Sequence, residues 1–227
     1  MRFHSLVLAA SAAPVVLGCA IPITRTVVVE VQLYPVATQV PPGPDALYPA
    51  PPAETPSDPA PLVAVKPLGQ CRNCGGCVKV TGPNGDSITA MIVDQCPECN
   101  EGHLDLFQNA FEKIGTLSEG IISTSYEFVD CGISSPIVLK NKSGTSPFWF
   151  SMQVVNATER VAKLEVSTDG GSTWQSTQRK DYNFFEQPSG FGTPSVDVRV
   201  TSVSGKVVVV RNVPVASDEH ATASSNF

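Results

Sequence analysis

The chain has 227 residues, a formal charge of −6 and only 16% charged residues. That length suits one large domain or two small ones, each with its own core. So weak and acidic a charge balance excludes a protein built to grip phosphate backbones, and no nucleic-acid partner is expected.

Residues 1–20 read as an export signal. Arg2 supplies the positive start, "SLVLAASAAPVVLG" is an apolar run too short to span a bilayer, and small residues follow at Gly18 and Ala20. A secreted protein, extracellular or in a cell wall and off the membrane once the signal is removed, is the expectation. "VLGC", ending at Cys19, also faintly resembles a lipobox. Residues 21–67 read as a proline-rich, extended and disordered segment. Ten of the twenty prolines fall between Pro41 and Pro67, and proline cannot donate to a ladder. Within it, "RTVVVEVQLYPVATQV" has the β-branched content of one strand, a propeptide or an extended tail.

Residues 68–132 hold Cys71, Cys74, Cys77, Cys96, Cys99 and Cys131. An even, local set in an exported chain reads as a disulfide framework, with fifteen possible connectivities. The spacings CxxCxxC and CxxC also suit zinc, but exported thiols are normally oxidised, so no metal and no cofactor are expected. "CVKVT" and "SITAMIVD" read as strands joined by the turn "GPNGD". "NAFEKIG" is a short amphipathic helix with Phe107, Phe111 and Ile114 on one side and Gly115 at its end, and "IISTSYEFVDC" is a closing strand.

Residues 133–212 contain no cysteine, and "PIVLKNK", "FWFSMQVV", "VAKLEVS", "TWQSTQR", "VDVRVTS" and "KVVVVR" recur as short strands. That spacing indicates a β-sandwich. Residues 213–227 are polar and read as a frayed tail. Sequons at Asn141 and Asn156 are candidate glycosylation sites. The first domain carries three basic and nine acidic residues, the second nine basic and six acidic, which points to surfaces with different tasks.

The acids of the first domain cluster at Asp94, Glu98 and Asp105. Leu104 and Leu106 would half-bury Asp105, and burial raises a carboxyl pKa into the range of a general acid. The alternative is that Asp105 caps the helix and Asp94 bonds loop amides. In "SPFWFSMQVV", alternation places Phe148, Phe150, Met152 and Val154 on a buried face and Trp149, Ser151 and Gln153 on an exposed one. An exposed Trp invites a flat partner such as a sugar ring. Trp174 reads as core.

"CGGCVKVTGPNGDSITAMIVDQCPEC", "HLDLFQNAFEKIG" and "YEFVDC" resemble the later part of an expansin or barwin-like double-psi β-barrel, of the microbial and fungal type. "SPFWFSMQVVN", "DYNFF" and "VRVTSVSGKVV" resemble the expansin carbohydrate-binding module. The resemblance implies an all-β chain: a six-stranded double-psi β-barrel at 68–132, then an immunoglobulin-like β-sandwich at 133–212. The barrel's usual first strands have no match in residues 21–70, so either the barrel is incomplete or residues 21–40 fold back as a makeshift strand. The resemblance further implies a wall-loosening groove at Asp94, Glu98 and Asp105, and a platform of Phe148, Trp149 and Tyr182 for a glycan chain. A monomer that binds cellulose or a similar β-glucan, or chitin, and loosens it without hydrolysis follows. The alternatives are a glycan-cleaving enzyme of endoglucanase or lytic-transglycosylase type with Asp105 as general acid, and a non-catalytic wall-binding or defence-related module.

Overall fold

The computed structural model describes residues 29–33, 62–65, 72–96 and 102–227. The expected export signal at 1–20, Cys19, Cys71, Glu98 and Cys99 lie outside the described residues.

Six strands form the first domain: β1 (Val29–Leu33), β2 (Leu62–Val65), β3 (Cys77–Thr81), β4 (Ser87–Gln95), β5 (Leu104–Leu106) and β6 (Ile121–Val129). They close into a barrel in the order β1-β5-β2-β4-β3-β6. Of the two alternatives, the incomplete barrel beginning at residue 68 is corrected, and a strand from residues 21–40 closes the barrel together with one more from the proline-rich stretch. β1 comes from the β-branched run, and β2 is the proline-free "LVAV" between Pro61 and Pro67. Prolines bracket this strand without entering it, so no ladder donor is lost inside it. Closure leaves no exposed strand edge.

The barrel interior is filled by Val78, Val80, Ala90, Ile92, Leu104, Leu106, Phe111 and Ile114, all nearly or fully buried. The strands alternate inward apolar and outward polar residues, as in "KV" of β3 and "IT" of β4. The expected helix is only one turn, α1 (Gln108–Phe111). Phe111 and Ile114 are buried as its pattern implies, and Phe107 is half-buried. Asp105 does not stand at its N-cap: it lies within β5, and Phe107 occupies the N-cap position without a side-chain capping bond.

Cys77, at the start of β3, is disulfide-bonded to Cys131, just beyond β6. Cys74 and Cys96 are disulfide-bonded as well. The oxidised reading of these thiols thus holds over the zinc-like reading of their spacing.

The second domain is a sandwich built from β7 (Val138–Asn141), β8 (Phe150–Val155), β9 (Val161–Ser167), β10 (Gln175–Ser176), β11 (Gln178–Arg179), β12 (Phe185–Gln187), β13 (Ser195–Ser202), β14 (Val207–Pro214) and β15 (His220–Thr222). One sheet has the order β10-β9-β13-β14 and the other β11-β12-β8-β7-β15. Leu139, Phe150, Met152, Leu164, Val166, Phe185, Val198 and Val200 pack between them. The stretch read as one strand at "TWQSTQR" divides at Thr177, with β10 in one sheet and β11 in the other.

Residues 213–227 are not a frayed tail. β15 pairs with β7, Val215 and Ala223 are buried in the core, and Phe227 packs against it. The Asn226 amide donates to Ser135 O at 2.6 Å and Asn156 O at 2.7 Å, and its Oδ1 accepts from Thr158 N at 3.0 Å. Asn141 is corrected as a glycosylation site for this folded state. It is buried, and its Nδ2, the atom a glycan would occupy, donates to Pro214 O at 2.7 Å. Asn156 is half-buried, in a turn at φ 62°.

Candidate functional site

The acidic half of the site is created by a register shift. Val63 pairs with Ile92 of β4 on one side and with Leu106 of β5 on the other, and both of those side chains point into the core. One step along β2, Ala64 pairs with Asp94 and with Asp105. Strict alternation would put Asp94 on the same side as Ile92. The extra residue, Val93, makes a β-bulge in β4 and re-aims Asp94 to the outward side shared with Asp105. Two ladder spacings separate the two aspartates, roughly 9.5 Å between backbones.

Asp105 is buried, flanked by the inward Leu104 and Leu106, while Asp94 is half-buried. On β5's other side, β1 pairs Gln32 with Asp105. His103, two residues before Asp105, is also buried, and its Nε2 has no hydrogen-bond partner among the described residues. The sequence reading passed over it. The signal available was its spacing, since a titratable ring two positions from a buried acid shares its surroundings.

The aromatic half is a tight hairpin. Ser146 N donates to Trp149 O at 2.8 Å and Trp149 N to Ser146 O at 3.1 Å, so Pro147 and Phe148 form the loop. Phe148 therefore stands at a turn tip, 79% exposed, and not on the buried face that alternation suggested. β8 starts only at Phe150. The backbone of Gly190 packs beneath: a Cβ there would lie 2.0 Å from Pro147 O. Phe191 N and Gly192 N both donate to that same carbonyl.

Trp149 is half-buried, and Tyr182 is 39% exposed. Ser151 and Gln153, expected to be exposed beside Trp149, are fully buried, because β8 is a central strand between β12 and β7. Ser151 satisfies its hydroxyl by donating to Glu186 Oε1 at 3.0 Å. The Tyr182 hydroxyl donates to the same oxygen at 2.6 Å. Burial of this hydroxyl end, then the bond to the Glu186 carboxylate, push the Tyr182 phenol up to about 12. The ring is thus tethered at its hydroxyl end and partly exposed.

Phe184 lies 6.0 Å from Tyr182, centroid to centroid, and the Lys142 ammonium sits 5.8 Å from the Tyr182 ring and 5.3 Å from that of Phe184. Phe184, Lys142 and Glu186 were absent from the sequence reading. Phe184 alone was legible, at two residues from Tyr182 in "DYNFF".

Trp174 is half-buried and stacks on the Arg199 guanidinium at 4.4 Å, on the other sheet of the sandwich. Among the described residues no cluster of three or more His, Cys, Asp or Glu could hold a metal ion, and no helix is long and apolar enough to cross a membrane.

A family model described as lytic transglycolase matches residues 66–126. Expansin-YoaJ of Bacillus subtilis is 37% identical over 134 residues, 59% of this chain and 56% of its own length. Expansin-like protein 1 of Dictyostelium discoideum is 28% identical over 162 residues, 69% of this chain and 56% of its own. The chain spans little more than half the length of these curated relatives. Among solved structures, the apo expansin of Clavibacter michiganensis has a TM-score of 0.74 at 30% identity, with 88% of this chain and 96% of that one covered. A mutant of the Clavibacter michiganensis expansin in complex with cellohexaose gives a TM-score of 0.74 at 27% identity, with 88% and 96% covered. With a closed barrel followed by a sandwich, and with these relatives matching across both, the chain belongs to the expansin-like proteins built on a double-psi β-barrel.

Proposed function

We propose that this is a secreted, monomeric protein that binds a cell-wall β-glucan such as cellulose, or the related polymer chitin, and loosens its non-covalent contacts without hydrolysis. The observation that carries this reading is the exposed Phe148 and half-buried Trp149 on one hairpin, with a tethered, partly exposed Tyr182 next to β12 of the sheet that holds β8. Rings held with one face open suit the flat C–H faces of a glucan chain. The structural neighbour solved with cellohexaose supports the choice of ligand class. Asp94 and Asp105, with Glu98, would bond sugar hydroxyls in the groove. Asn156 is the remaining candidate for glycosylation. Cellulose pull-down and filter-paper weakening test the proposal. Joint replacement Trp149→Ala and Tyr182→Ala should lower binding about tenfold or more, and binding that survives both would overturn the platform.

A second reading, glycan cleavage with Asp105 as general acid, is favoured by the lytic transglycolase match and by the placement of Asp94. Release of reducing ends or anhydro-sugars by the native protein, lost in Asp105→Asn, would establish it.

A further inference from the structure

Arg179 belongs to β11 at the edge of the sandwich, yet its guanidinium reaches into the barrel. A guanidinium has five N–H donors, and all five are used. Nη1 donates to Arg72 O at 3.0 Å and Val161 O at 2.7 Å. Nη2 donates to Cys74 O at 3.1 Å and to Asn183 Oδ1, and Nε donates to that same Oδ1 at 3.1 Å. Two of these bonds cross into the barrel and three stay in the sandwich.

Among the described residues no carboxylate lies within ion-pair distance of Arg179, and desolvation brings its pKa down to about 10. Burying an unpaired cation is costly. A planar fork that meets three carbonyls and an amide oxygen at once is something only arginine provides. The arrangement therefore serves geometry rather than charge neutralisation.

What the fork joins is specific. Asn183, held at φ 61° and buried, follows Tyr182 directly. Cys74 precedes Gly75, whose N–H donates to Ile92 O at 2.8 Å, while Ile92 N donates back to Gly76 O at 2.8 Å. Ile92 lies two residues before Asp94 on β4. A short bonded path thus runs from the Tyr182 loop through Arg179 to the Asp94 strand.

A second arginine works on the same loop. Arg160 Nη1 donates to Asn73 Oδ1 at 3.0 Å, and its guanidinium covers the Phe128 ring at 3.8 Å. Its side chain also fills the space over Gly76, where a Cβ would lie 2.2 Å from Arg160 Cγ. Domains of one chain normally move relative to each other unless a large apolar interface joins them, and these two arginines oppose that motion together with the bond from Cys131 N to Thr158 O at 2.7 Å.

We propose that Arg179, assisted by Arg160, is a positioning residue that locks the sandwich's aromatic loop to the barrel's carboxylate strand. The clamp itself stands on geometry alone. Its bearing on loosening rests on the function proposed above.

The test is the relative orientation of the domains in the full chain, read from residual dipolar couplings without any glycan. One alignment tensor should fit both domains of the native protein. In Arg179→Met with Arg160→Ala, each domain should still fit its own tensor, but the two should differ in magnitude by about twofold or more. A common tensor in that variant overturns the clamp. Should Arg179→Met disturb the sandwich itself, Arg179→Gln with Arg160→Ala keeps a polar side chain beside Asn183 while removing the two bonds to Arg72 O and Cys74 O, and the same two outcomes apply. Arg179→Lys with Arg160→Ala, with three donors from one point, should behave like the methionine double variant, and native orientation there overturns the requirement for a fork.

Filter-paper weakening should fall about tenfold in the uncoupled variant, with cellulose binding within twofold of native. Full weakening by freely reorienting domains overturns the link to function. Absence of binding and weakening in the native protein refutes the function proposed above, and the tensors still decide the clamp.

Discussion

Asp94 and Asp105 are in register with the same residue, Ala64, from opposite sides of β2. The bulge at Val93 is what brings Asp94 to the outward side. Deleting Val93 should place Asp94 directly after Ile92, in regular register with Ala64 and still on the outward side by alternation. The guanidinium midpoint should then hold or rise and wall loosening should persist. Loosening lost at a native midpoint would show that the bulge, and not the register with Ala64, aims the Asp94 carboxylate.

Gly190 supports the Phe148 hairpin by having no side chain. Gly190→Ala should push Pro147 and Phe148 outward and weaken cellulose binding several-fold, because the added Cβ would sit 2.0 Å from Pro147 O. Gly192→Ala is the control. It shares the positive φ, at 71°, but has nothing within 4 Å of its Cβ, so it should show only the backbone penalty of about 1–2 kcal/mol. Equal glucan binding by the two variants would remove the packing argument.

Tyr182 should ionise later than an ordinary tyrosine, at about 12. The folded value lies above the usual value near 10, so this group's stabilising contribution is complete below pH about 10 and is lost as pH rises through about 12. Ultraviolet titration should show a delayed phenol that disappears in Tyr182→Phe. In Glu186→Gln it should return part of the way, since burial of the hydroxyl persists. A delayed phenol at the same pH in that variant would discount the hydrogen bond.

The Cys77–Cys131 bond spans 54 residues and ties the start of β3 to the exit of β6. Replacing both cysteines with Ala should lower stability by about 4 kcal/mol on chain entropy, within a range of about 2–5. Urea unfolding of the double variant measures this, and a loss below about 1 kcal/mol would mean the barrel's own pairing already fixes that corner.

Four sandwich acids titrate low in the folded protein. Asp169 is lowered to about 2 by bonds from Thr173 and then Ser167, Glu165 is lowered first by Arg199, and Asp197 first by Arg211. Glu159 is lowered because bonds from Lys206, Ser204 and Ser202 outweigh its burial. Depressed folded values stabilise above the ordinary carboxylate range near 4 and lose that contribution as pH falls through it toward about 2. The denaturation midpoint should therefore decline steadily over that window, and Asp197→Asn should flatten the decline.

The reading of residues went furthest where pattern and chemistry coincide. "LDL" marked Asp105 as an acid pressed between core leucines, and Leu104 and Leu106 are indeed buried on either side of it. The β-branched strands of residues 138–214 were legible because alternation reports burial directly. Strict alternation alone points Phe148 inward, against the exposed place that the resemblance implies, because the Ser146–Trp149 bridge lies outside the strand, where a period of two has no meaning. β5 and β12, three residues each, are too short to carry a period. Asn141 satisfied a sequon whose accessibility only the fold reveals.

What the sequence by itself determined is the inventory: two β domains in order, an oxidised cysteine set, a pair of acids and a group of aromatics. Those follow from local composition and spacing, which act over a few residues. Tertiary structure decided closure and placement. "VEVQL" and "LVAV" look dispensable alone, and become barrel strands only because β5, β6 and β4 offer unpaired ladder groups for them to satisfy. The outward turn of Asp94 needs a bulge against β2, and the hold of Arg179 on Cys74 needs residues 105 positions apart to meet. Such contacts are long-range solutions to hydrogen-bond satisfaction and packing, and no local pattern encodes them.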